Sequence, residues 1–283
     1  MNRDENFIVE KNTIDGTPPG GMLRLDSNRL AESIAFMQSE GIKNLGIDRN
    51  QKFQNLNFLK DFSFIEGLQI DADVDNIEGI NSLKELRFLL LGQNMTKKEI
   101  HFDNFKYLEY CILDWNKNKT SILKAESLLK LSIYNFSGVN LNEFYPLINL
   151  TNLFLSKSKL TDFGGIEFLI NLKKLEVYYL SRLERIESIK DSSKILVEVC
   201  FNNCKKIKDH QNISSVKSLD TLWFNYCSDI KNLKFLQEMN LKEFRFVGTN
   251  IIDGDLSYCK KIPRTIFSDK KHFSHTFKEL NSK

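Results

Sequence analysis

Apolar residues recur along this chain at a spacing that belongs to neither a single helix nor a single strand. In the stretch LKELRFLLLGQN, apolar residues stand at Leu86, Leu89 and Leu91 and are followed by Asn94. This defines a motif with apolar positions 1, 4 and 6 and a polar position 9. The next copy, YLEYCILDWN, keeps the same spacing with Leu108, Cys111, Leu113 and Asn116. The chain is therefore built from short repeats.

The motif occurs eleven times, and from Leu45 to Thr265 it covers 220 residues in ten intervals, a mean of 22 residues per repeat. The remaining copies are assigned as Ile42/Leu45/Ile47/Asn50, Ile65/Leu68/Ile70/Asp73, Leu128/Leu131/Ile133, Leu150/Leu153/Leu155, Leu172/Leu175/Val177, Val197/Val199/Asn202, Leu219/Leu222/Phe224/Cys227, Leu241/Phe244/Phe246/Thr249 and Ile262/Thr265/Phe267. Positions 4 and 6 point inward from a short strand, and position 5 points outward. One repeat cannot bury its apolar side alone, so neighbouring repeats must stack.

The spacing and the stretch KLTDFGGIEFLINLKKLEVYYLSRL, residues 159–183, resemble the 22-residue repeat of bacterial internalin-type leucine-rich repeat proteins. The resemblance covers residues 42–270. It implies an α/β solenoid, a leucine-rich repeat horseshoe or arc of about eleven turns. A parallel β-sheet would form the concave face, and short 3-10 or helical turns would form the convex face.

The two ends of such a solenoid must be covered, which predicts one domain with caps: 1–41, 42–270 and 271–283. In the N-terminal cap we expect an amphipathic helix within residues 27–41, with Ser27 or Asn28 as its N-cap, one apolar face and Gly41 as its stop. The segment DGTPPGG, residues 15–21, lacks the Lys and Ser/Thr of a phosphate-binding loop and is predicted to be a turn.

Position 9 predicts how the backbone turns away from each strand. Asparagine there hydrogen-bonds backbone groups that would otherwise be buried without partners. We expect this role for Asn50, Asn94, Asn116 and Asn202, with Asp73, Ser158, Cys227 and Thr249 as partial substitutes.

Composition predicts the cellular compartment of the protein and disfavours membranes and nucleic acids as partners. The start of the chain, MNRDENFIVEKN, is polar, and no apolar run reaches the length of a membrane helix, so we expect a cytoplasmic protein without a membrane partner. Five cysteines are an odd number and are predicted to be reduced thiols. With 40 Lys and Arg against 37 Asp and Glu, spread along the chain, no nucleic-acid partner is predicted.

Candidate chemistry is sparse, and no cofactor, metal or catalytic residue is predicted. His272 and His275 are two ligands without a third, and Cys200, Cys204 and Cys227 are expected to pack in the core rather than bind zinc. His101 and His210 fall on the return path of the repeat, away from the strands, and no glycine-rich elbow accompanies a serine. The protein is therefore predicted to be a non-enzyme.

The outward strand positions carry the functional hypothesis, because the fold does not require them to be apolar. They are rich in rings and carboxylates, and both tryptophans are among them. Phe88, Phe201 and Glu243 belong to this set. The predicted partner-binding residues are Asp48, Asp71, Tyr110, Asp114, Trp115, Tyr134, Phe154, Glu176, Tyr178, Tyr179, Glu198, Trp223, Tyr226 and Arg245. Strand propensity also favours aromatic residues, and that alternative remains open.

Acids outnumber bases at these outward positions: Asp48, Asp71, Asp114, Glu176, Glu198 and Glu243 stand against Lys130, Lys174, Arg245 and Arg264. An acidic, aromatic face suits a basic protein ligand. We therefore predict a protein-binding module, with a monomer expected. The tail HFSH at residues 272–275 is similar to leucine-rich repeat immunity proteins, which implies occlusion of a toxin, often a basic nuclease. The alternatives are a self-associating scaffold and an internalin-like host-interaction protein.

Overall fold

The computed structural model describes residues 7–10, 17–92, 98–192 and 194–282, and the chain divides into two compact units, residues 1–133 and 134–283. The described residues contain thirteen strands: β1 Val9–Glu10, β2 Met22–Arg24, β3 Asn44–Ile47, β4 Gly67–Ile70, β5 Phe88–Leu91, β6 Tyr110–Asp114, β7 Lys130–Tyr134, β8 Asn152–Ser156, β9 Lys174–Tyr178, β10 Glu198–Asn202, β11 Thr221–Asn225, β12 Glu243–Arg245 and β13 Arg264–Ile266. The eleven strands β3–β13 correspond to the eleven predicted repeats.

Helical turns return the chain from each strand to the next. In the described part of the chain they are 3-10 helices at Asn57–Asp61, Glu78–Ser82, Phe102–Asn104, Lys117–Lys124, Asn142–Phe144, Ile166–Phe168, Glu187–Asp191, His210–Ser215, Lys234–Glu238 and Ser257–Lys261. The two α-helices, α1 Leu30–Ser39 and α2 Phe277–Asn281, lie near the chain ends. Short 3-10 turns opposite parallel strands are what the repeat predicts, so the leucine-rich repeat fold is confirmed.

The first unit begins with an antiparallel pair, β1 and β2, after which β2 to β6 pair in parallel. Helix α1 forms where predicted and ends at Ser39, two residues before Gly41, which has a φ of +62°. Its N-cap is Arg29, and no side chain caps it. The expectation of a Ser27 or Asn28 cap is therefore wrong: the helix starts one residue later and leaves both side chains outside its first turn.

The predicted turn before β2 is held by a buried asparagine. Asn44 Nδ2 donates to the carbonyl oxygens of Pro18, Pro19 and Gly21 at 3.0, 3.1 and 3.0 Å. An amide with several backbone acceptors stabilises a turn. The described part of DGTPPGG, residues 17–21, thus matches its structural interpretation.

In the second unit, β8 to β13 pair in parallel and in register. Val199 pairs with Leu222 and Phe201 with Phe224, so Val199 and Phe201 occupy positions 4 and 6 of the eighth repeat, whose strand is β10. The assignment Val197/Val199/Asn202 is therefore wrong by two residues. Phe201 is fully buried, whereas Val197 is 39% exposed. Asn202 resembled a ninth-position asparagine, but Cys204 occupies that position.

Position 9 of the second unit satisfies the backbone with small polar side chains. Ser158 Oγ donates to Ser156 O at 3.2 Å, and Thr249 Oγ1 donates to Phe224 O at 2.5 Å. Cys227 Sγ lies 3.3 Å from Asn225 O, and Cys204 Sγ lies 3.6 Å from Val177 O. The predicted substitutes for asparagine are thus confirmed at Ser158, Cys227 and Thr249.

Position 9 behaves differently in the first unit. Asn50 and Asp73 are exposed, so the role predicted for them is wrong. Asn116 caps the turn that follows it by accepting a hydrogen bond from Asn118 N, and Asn94 lies outside the described residues. At other turns, too, an asparagine side chain accepts a hydrogen bond from the backbone N–H two residues further on. Asn55 Oδ1, for example, accepts from Asn57 N at 3.0 Å. Short Asx turns therefore start several return segments.

The last strand of the second unit, β13, is covered by the C-terminal segment. Asn281 Oδ1 accepts from Thr265 N at 3.1 Å, and Asn281 Nδ2 donates to Thr265 O at 2.8 Å. One amide side chain thus replaces the neighbouring strand that β13 lacks. Helix α2 holds this asparagine, and it starts at a capping box formed by Thr276 and Glu279.

Replacing Asn281 by alanine is expected to lower the free energy of unfolding by about 1–3 kcal/mol, because both backbone groups of Thr265 lose their partner. Urea denaturation measures this loss. Lys278→Ala, at an exposed position of the same helix, serves as the control and should stay within about 0.5 kcal/mol of the wild type. Equal stability of the two variants would contradict the role assigned to Asn281.

Candidate functional site

Side chains alternate across the strands of the second unit. Leu153 and Leu155 are buried in the core, while Phe154 between them is only half-buried. The same alternation holds for β9, where Leu175 and Val177 are buried and Glu176 is half-buried. We call the surface formed by positions 3, 5 and 7 of β8–β13, together with Tyr134 at the end of β7, the sheet face.

Three rings lie side by side on the sheet face. The ring centroids of Tyr134 and Phe154 are 5.5 Å apart, and those of Phe154 and Tyr178 are 5.1 Å apart. We call this set the aromatic row. Burial, reinforced by the nearby Glu176 carboxylate, raises the pKa of Tyr178 to about 12, so its hydroxyl stays protonated at neutral pH. The row presents apolar ring surface with a hydrogen-bonding tip.

Next to the aromatic row, one lysine joins two glutamates. Lys174 Nζ lies 3.2 Å from Glu176 Oε2 and 3.0 Å from Glu198 Oε1. Burial opposes the charge of Lys174, but the hydrogen bond to Glu198 and the charges of both glutamates outweigh it and raise its pKa. Cys200 Sγ lies 3.5 Å from Glu198 Oε1, and burial raises the pKa of this thiol.

Glu176, Glu198 and Cys200 have ligand atoms within 4.8 Å of one another. Such a group of ligand atoms can bind a cation. Here the ammonium group of Lys174 already contacts both glutamates. The protonated thiol is a poor metal ligand. Sequence reasoning missed this cluster because its three members come from two repeats and only the register brings them together.

Trp223 is fixed by charged neighbours further along the sheet face. Its Nε1 donates to Glu243 Oε1 at 2.8 Å, and the guanidinium of Arg245 lies 5.1 Å from the ring centroid. Arg264 NH1 lies 3.1 Å from Glu243 Oε2. These contacts hold the indole in one orientation, half-exposed, with a cation over one side of the ring.

The charges of the sheet face are largely paired with one another. Glu176, Glu198 and Glu243 each lie within 3.2 Å of a Lys or Arg nitrogen on the same face. In the second unit, three acids therefore stand against Lys174, Arg245 and Arg264. These carboxylates are therefore paired, although the sequence count gave an excess of acids. In this unit the excess no longer supports a basic ligand.

The predicted residues of the first unit also lie on the outward side of its strands. Asp48 forms an ion pair with Arg24 at 3.2 Å, and Asp71 accepts a hydrogen bond from Gln69 at 2.6 Å. Tyr110 packs edge-on against Phe88, with the ring centroids 5.5 Å apart. Asp114 and Trp115 are half-buried at the end of β6.

Phe88 and Phe201, counted with the outward residues, do not reach solvent. Both are fully buried, Phe88 beneath Tyr110 and Phe201 at an inward position stacked on Phe224 at 4.9 Å. Cys200 points outward but is buried under its neighbours. These residues cannot contact a partner in this conformation.

Tyr179 and Tyr226 follow the strands of the second unit in a left-handed backbone conformation, with φ of 59° and 51°. Asn135, Lys157, Asn203 and Gly248 adopt the same conformation at the equivalent position. The left-handed turn directs each backbone N–H to the next repeat: Tyr179 N donates to Asn202 O at 2.8 Å. Both tyrosine side chains are about half-exposed, at 53% and 49%.

Histidines and cysteines form no catalytic arrangement in the described residues. His101 and His210 lie on the return segments, as expected, and all five cysteines are buried and unpaired. His272 Nε2 lies 3.1 Å from Ile251 O, and His275 Nδ1 lies 2.8 Å from Ser274 Oγ. His272 thus contacts the backbone of Ile251 in the preceding repeat, and His275 contacts a serine of the C-terminal segment.

Comparison with solved structures identifies bacterial leucine-rich repeat proteins among those of similar fold. An internalin of Listeria monocytogenes is 13% identical, with 89% of this chain and 83% of that chain covered and a TM-score of 0.61. A leucine-rich repeat protein of Leptospira interrogans is 18% identical, with 83% and 68% covered and a TM-score of 0.65. These identities establish the fold alone.

The receptor of the TLR13–ssRNA13 complex is 15% identical, with a TM-score of 0.59, and this chain covers 43% of its length. No family model matches the chain, and no curated protein matches it. Within the ranges that the structure describes, no helix has the length and apolar character needed to cross a membrane.

Proposed function

From the leucine-rich repeat fold, we propose that this chain is a non-catalytic module that binds a partner protein through the sheet face of its second unit. The aromatic row carries the proposal. Tyr134, Phe154 and Tyr178 form a continuous ring surface at outward positions, where stacking of the repeats does not require aromatic residues. Tyr and Trp are the side chains that most often anchor protein interfaces.

The contacts around the rings support this proposal. Trp223 is held by Glu243 and Arg245, and the Lys174 cluster lies beside Tyr178. A side chain that is already ordered loses less conformational entropy when a partner binds. The sheet face therefore offers anchors that need little rearrangement.

The finer form of the proposal is an immunity role, in which the bound partner is a toxin and binding blocks its active surface. Its support is the resemblance of the HFSH tail, and the expected localisation is cytoplasmic. Because the acids of the second unit's sheet face are paired, the aromatic contacts rather than an acidic field would give most of the affinity. The alternatives are a self-associating scaffold and a host-interaction protein. Size-exclusion chromatography separates the self-associating scaffold, which elutes as an oligomer, from the immunity role, for which a monomer is expected.

The test compares two double variants with the wild type in affinity capture from the source organism. Tyr178→Ala/Trp223→Ala removes two anchors of the sheet face. Tyr145→Ala/Phe168→Ala removes two exposed rings from the return side of the same unit, whose centroids are 6.5 Å apart, and is the matched control. Circular dichroism checks that all three proteins are equally folded.

We expect the wild type and the return-side variant to retain the same protein, and the sheet-face variant to bind it at least about 30-fold more weakly. Co-expression with that protein, if it is toxic, then tests the immunity role. Retention by the sheet-face variant together with loss by the return-side variant would move the binding surface to the 3-10 turns and refute the proposal.

A further inference from the structure

Positive charge is concentrated in the second unit. Residues 134–283 contain 23 Lys and Arg against 17 Asp and Glu, whereas residues 1–133 contain 17 against 20. The cations on the sheet face of this unit are in contact with carboxylates or with Trp223. The surplus of positive charge must therefore lie elsewhere on the unit.

Some of the Lys and Arg residues that give this surplus lie at the carboxyl ends of β8–β11. Lys157, Arg182, Lys205 and Lys206 are exposed there, and within the described ranges their side chains form no hydrogen bond or ion pair. Tyr179 directly follows β9 and Tyr226 directly follows β11, at the same edge of the sheet. We call these six residues the basic strip.

Acidic side chains occur near the basic strip: Glu184 and Asp209 are engaged by other groups, and Asp229, exposed after β11, accepts a hydrogen bond from Asn250 Nδ2 at 3.5 Å. Glu184 accepts a hydrogen bond from Lys208 Nζ at 2.6 Å, which with the charges of Lys208, Lys206 and Arg185 keeps its pKa low. Asp209 accepts from Ile186 N at 3.0 Å and from Asn212 Nδ2 at 2.8 Å. The cations of the strip are thus not neutralised by a carboxylate in direct contact.

The tyrosines of the basic strip are held outward by a backbone conformation that suits them poorly. Left-handed φ is tolerated by Gly and Asn, which occupy three of the equivalent positions, and is unfavourable for a bulky aromatic residue. The inter-repeat hydrogen bonds hold this conformation, and at Tyr179 and Tyr226 it places a large, half-exposed ring at the edge of the sheet. The ring of Tyr226 lies over Gly248, where an added Cβ would fall 2.3 Å from Tyr226 Cδ1. The two tyrosines are two strands apart, about 10 Å.

We propose that the basic strip receives an acidic segment of the partner protein that binds the sheet face, with Tyr179 and Tyr226 as its anchors. This inference rests on the proposed function and specifies the chemistry of the partner. Tyr179 directly follows Tyr178 of the aromatic row, so a protein on the sheet face reaches the strip without a gap. Unpaired cations beside the interface select a partner with Asp and Glu at its rim.

Two features favour an acidic polypeptide over a nucleic acid. The first unit, with 17 Lys and Arg against 20 Asp and Glu, adds no net positive charge for a polyanion to bind. The four cations of the strip also extend over only a few repeats, which fits a local acidic segment better than a long phosphate backbone.

The test measures binding of fluorescently labelled short poly-L-glutamate by anisotropy, at low and at physiological salt. The strip variant is Lys205→Glu/Lys206→Glu. Its matched control, Lys190→Glu/Lys217→Glu, reverses the same number of charges on the return side, where these lysines pair with Glu187 and Glu238. A third variant, Tyr179→Asn, places a residue that tolerates left-handed φ at the strained position.

We expect the wild type and the control to bind poly-L-glutamate, more weakly as salt rises, and the strip variant to bind it at least about tenfold more weakly. Tyr179→Asn should bind more weakly without a lower thermal midpoint, which separates a lost contact from a damaged fold. The sheet-face variant Tyr178→Ala/Trp223→Ala should keep its poly-L-glutamate binding, so failure of the strip and failure of the sheet face are distinguishable.

Three results would overturn the proposal. If the wild type did not bind poly-L-glutamate, the basic strip would not be a site for an acidic segment. Equal weakening by the strip variant and the return-side control would assign binding to net charge alone. Tighter binding of single-stranded oligothymidylate than of poly-L-glutamate, lost in the strip variant, would identify a nucleic-acid site instead.

Discussion

Replacing Phe201 by alanine is expected to lower the free energy of unfolding by about 3–5 kcal/mol. Phe201 is fully buried, its ring is stacked on Phe224 at a centroid distance of 4.9 Å and an interplanar angle of 6°, and Phe163 packs at 6.2 Å. Truncation leaves a cavity between neighbouring repeats that the rigid strands cannot close. Chemical denaturation of the variant and the wild type measures the difference.

Tyr134→Ala is the control for this prediction, because Tyr134 is a ring of similar size on the sheet face and is 39% exposed. We expect this variant to lose no more than about 1 kcal/mol. The comparison also decides the register of the eighth repeat. If Phe201→Ala were as stable as Tyr134→Ala, Phe201 would face solvent, as the assignment from spacing alone had it.

Acidification is expected to destabilise the protein through His210, by about 3 kcal/mol in total. Burial lowers the pKa of His210 to about 4, against the opposing charge of Asp209. Its Nε2 lies 3.3 Å from Ser228 Oγ, and that hydroxyl donates its proton to Ile207 O at 2.6 Å. The remaining lone pairs of Ser228 therefore accept from Nε2–H, a bond that both protonation states of the ring can make, so burial is what favours the neutral ring.

The direction of the effect follows from proton binding. Above pH 6.5 the histidine is neutral in both states, and its neutral form contributes full stability. As the pH falls from 6.5 towards about 4, the unfolded chain takes up a proton that the folded chain refuses, so the free energy of unfolding decreases by up to about 1.4 kcal/mol per pH unit. Below about pH 4 the folded protein is protonated as well, and the loss stops growing.

His210→Gln is the matched control, since glutamine keeps a hydrogen-bonding side chain that does not titrate. Urea denaturation of both proteins at several pH values between about 7 and 4 gives the difference in slope. Carboxylates that titrate in the same range affect both proteins equally and cancel. Identical slopes would show that His210 is protonated as easily in the folded chain as in the unfolded one.

The sequence was sufficient for the fold because the repeat is strictly local. An apolar residue at positions 1, 4 and 6 must be buried wherever the motif occurs, and burial requires stacked parallel strands. The one register error arose at the eighth repeat, where position 4 follows that of the seventh repeat by 24 residues instead of the mean of 22, and Asn202 there resembled a ninth-position asparagine. Cys204 and its contact with Val177 O show that position 9 is defined by its backbone partners, not by residue type.

For the candidate site, the sequence identified most outward residues but not their charge balance. Spacing placed Tyr134, Phe154 and Tyr178 on one face, and the structure brings their rings together. Lys174 and Glu198 are 24 residues apart in the chain, so only the register of β9 and β10 brings them within 3.0 Å. Counting carboxylates from the sequence therefore overestimated the acidic character of the second unit's sheet face.

The left-handed turns were likewise decided by the tertiary structure. No local preference directs Tyr179 or Tyr226 into positive φ; the N–H of each must reach the carbonyl of the next repeat, and that bond outweighs the strain. The sequence by itself determined which residues repeat and hence which are buried. The tertiary structure decided which charges are paired and which remain available, because both depend on distances between repeats that are remote along the chain.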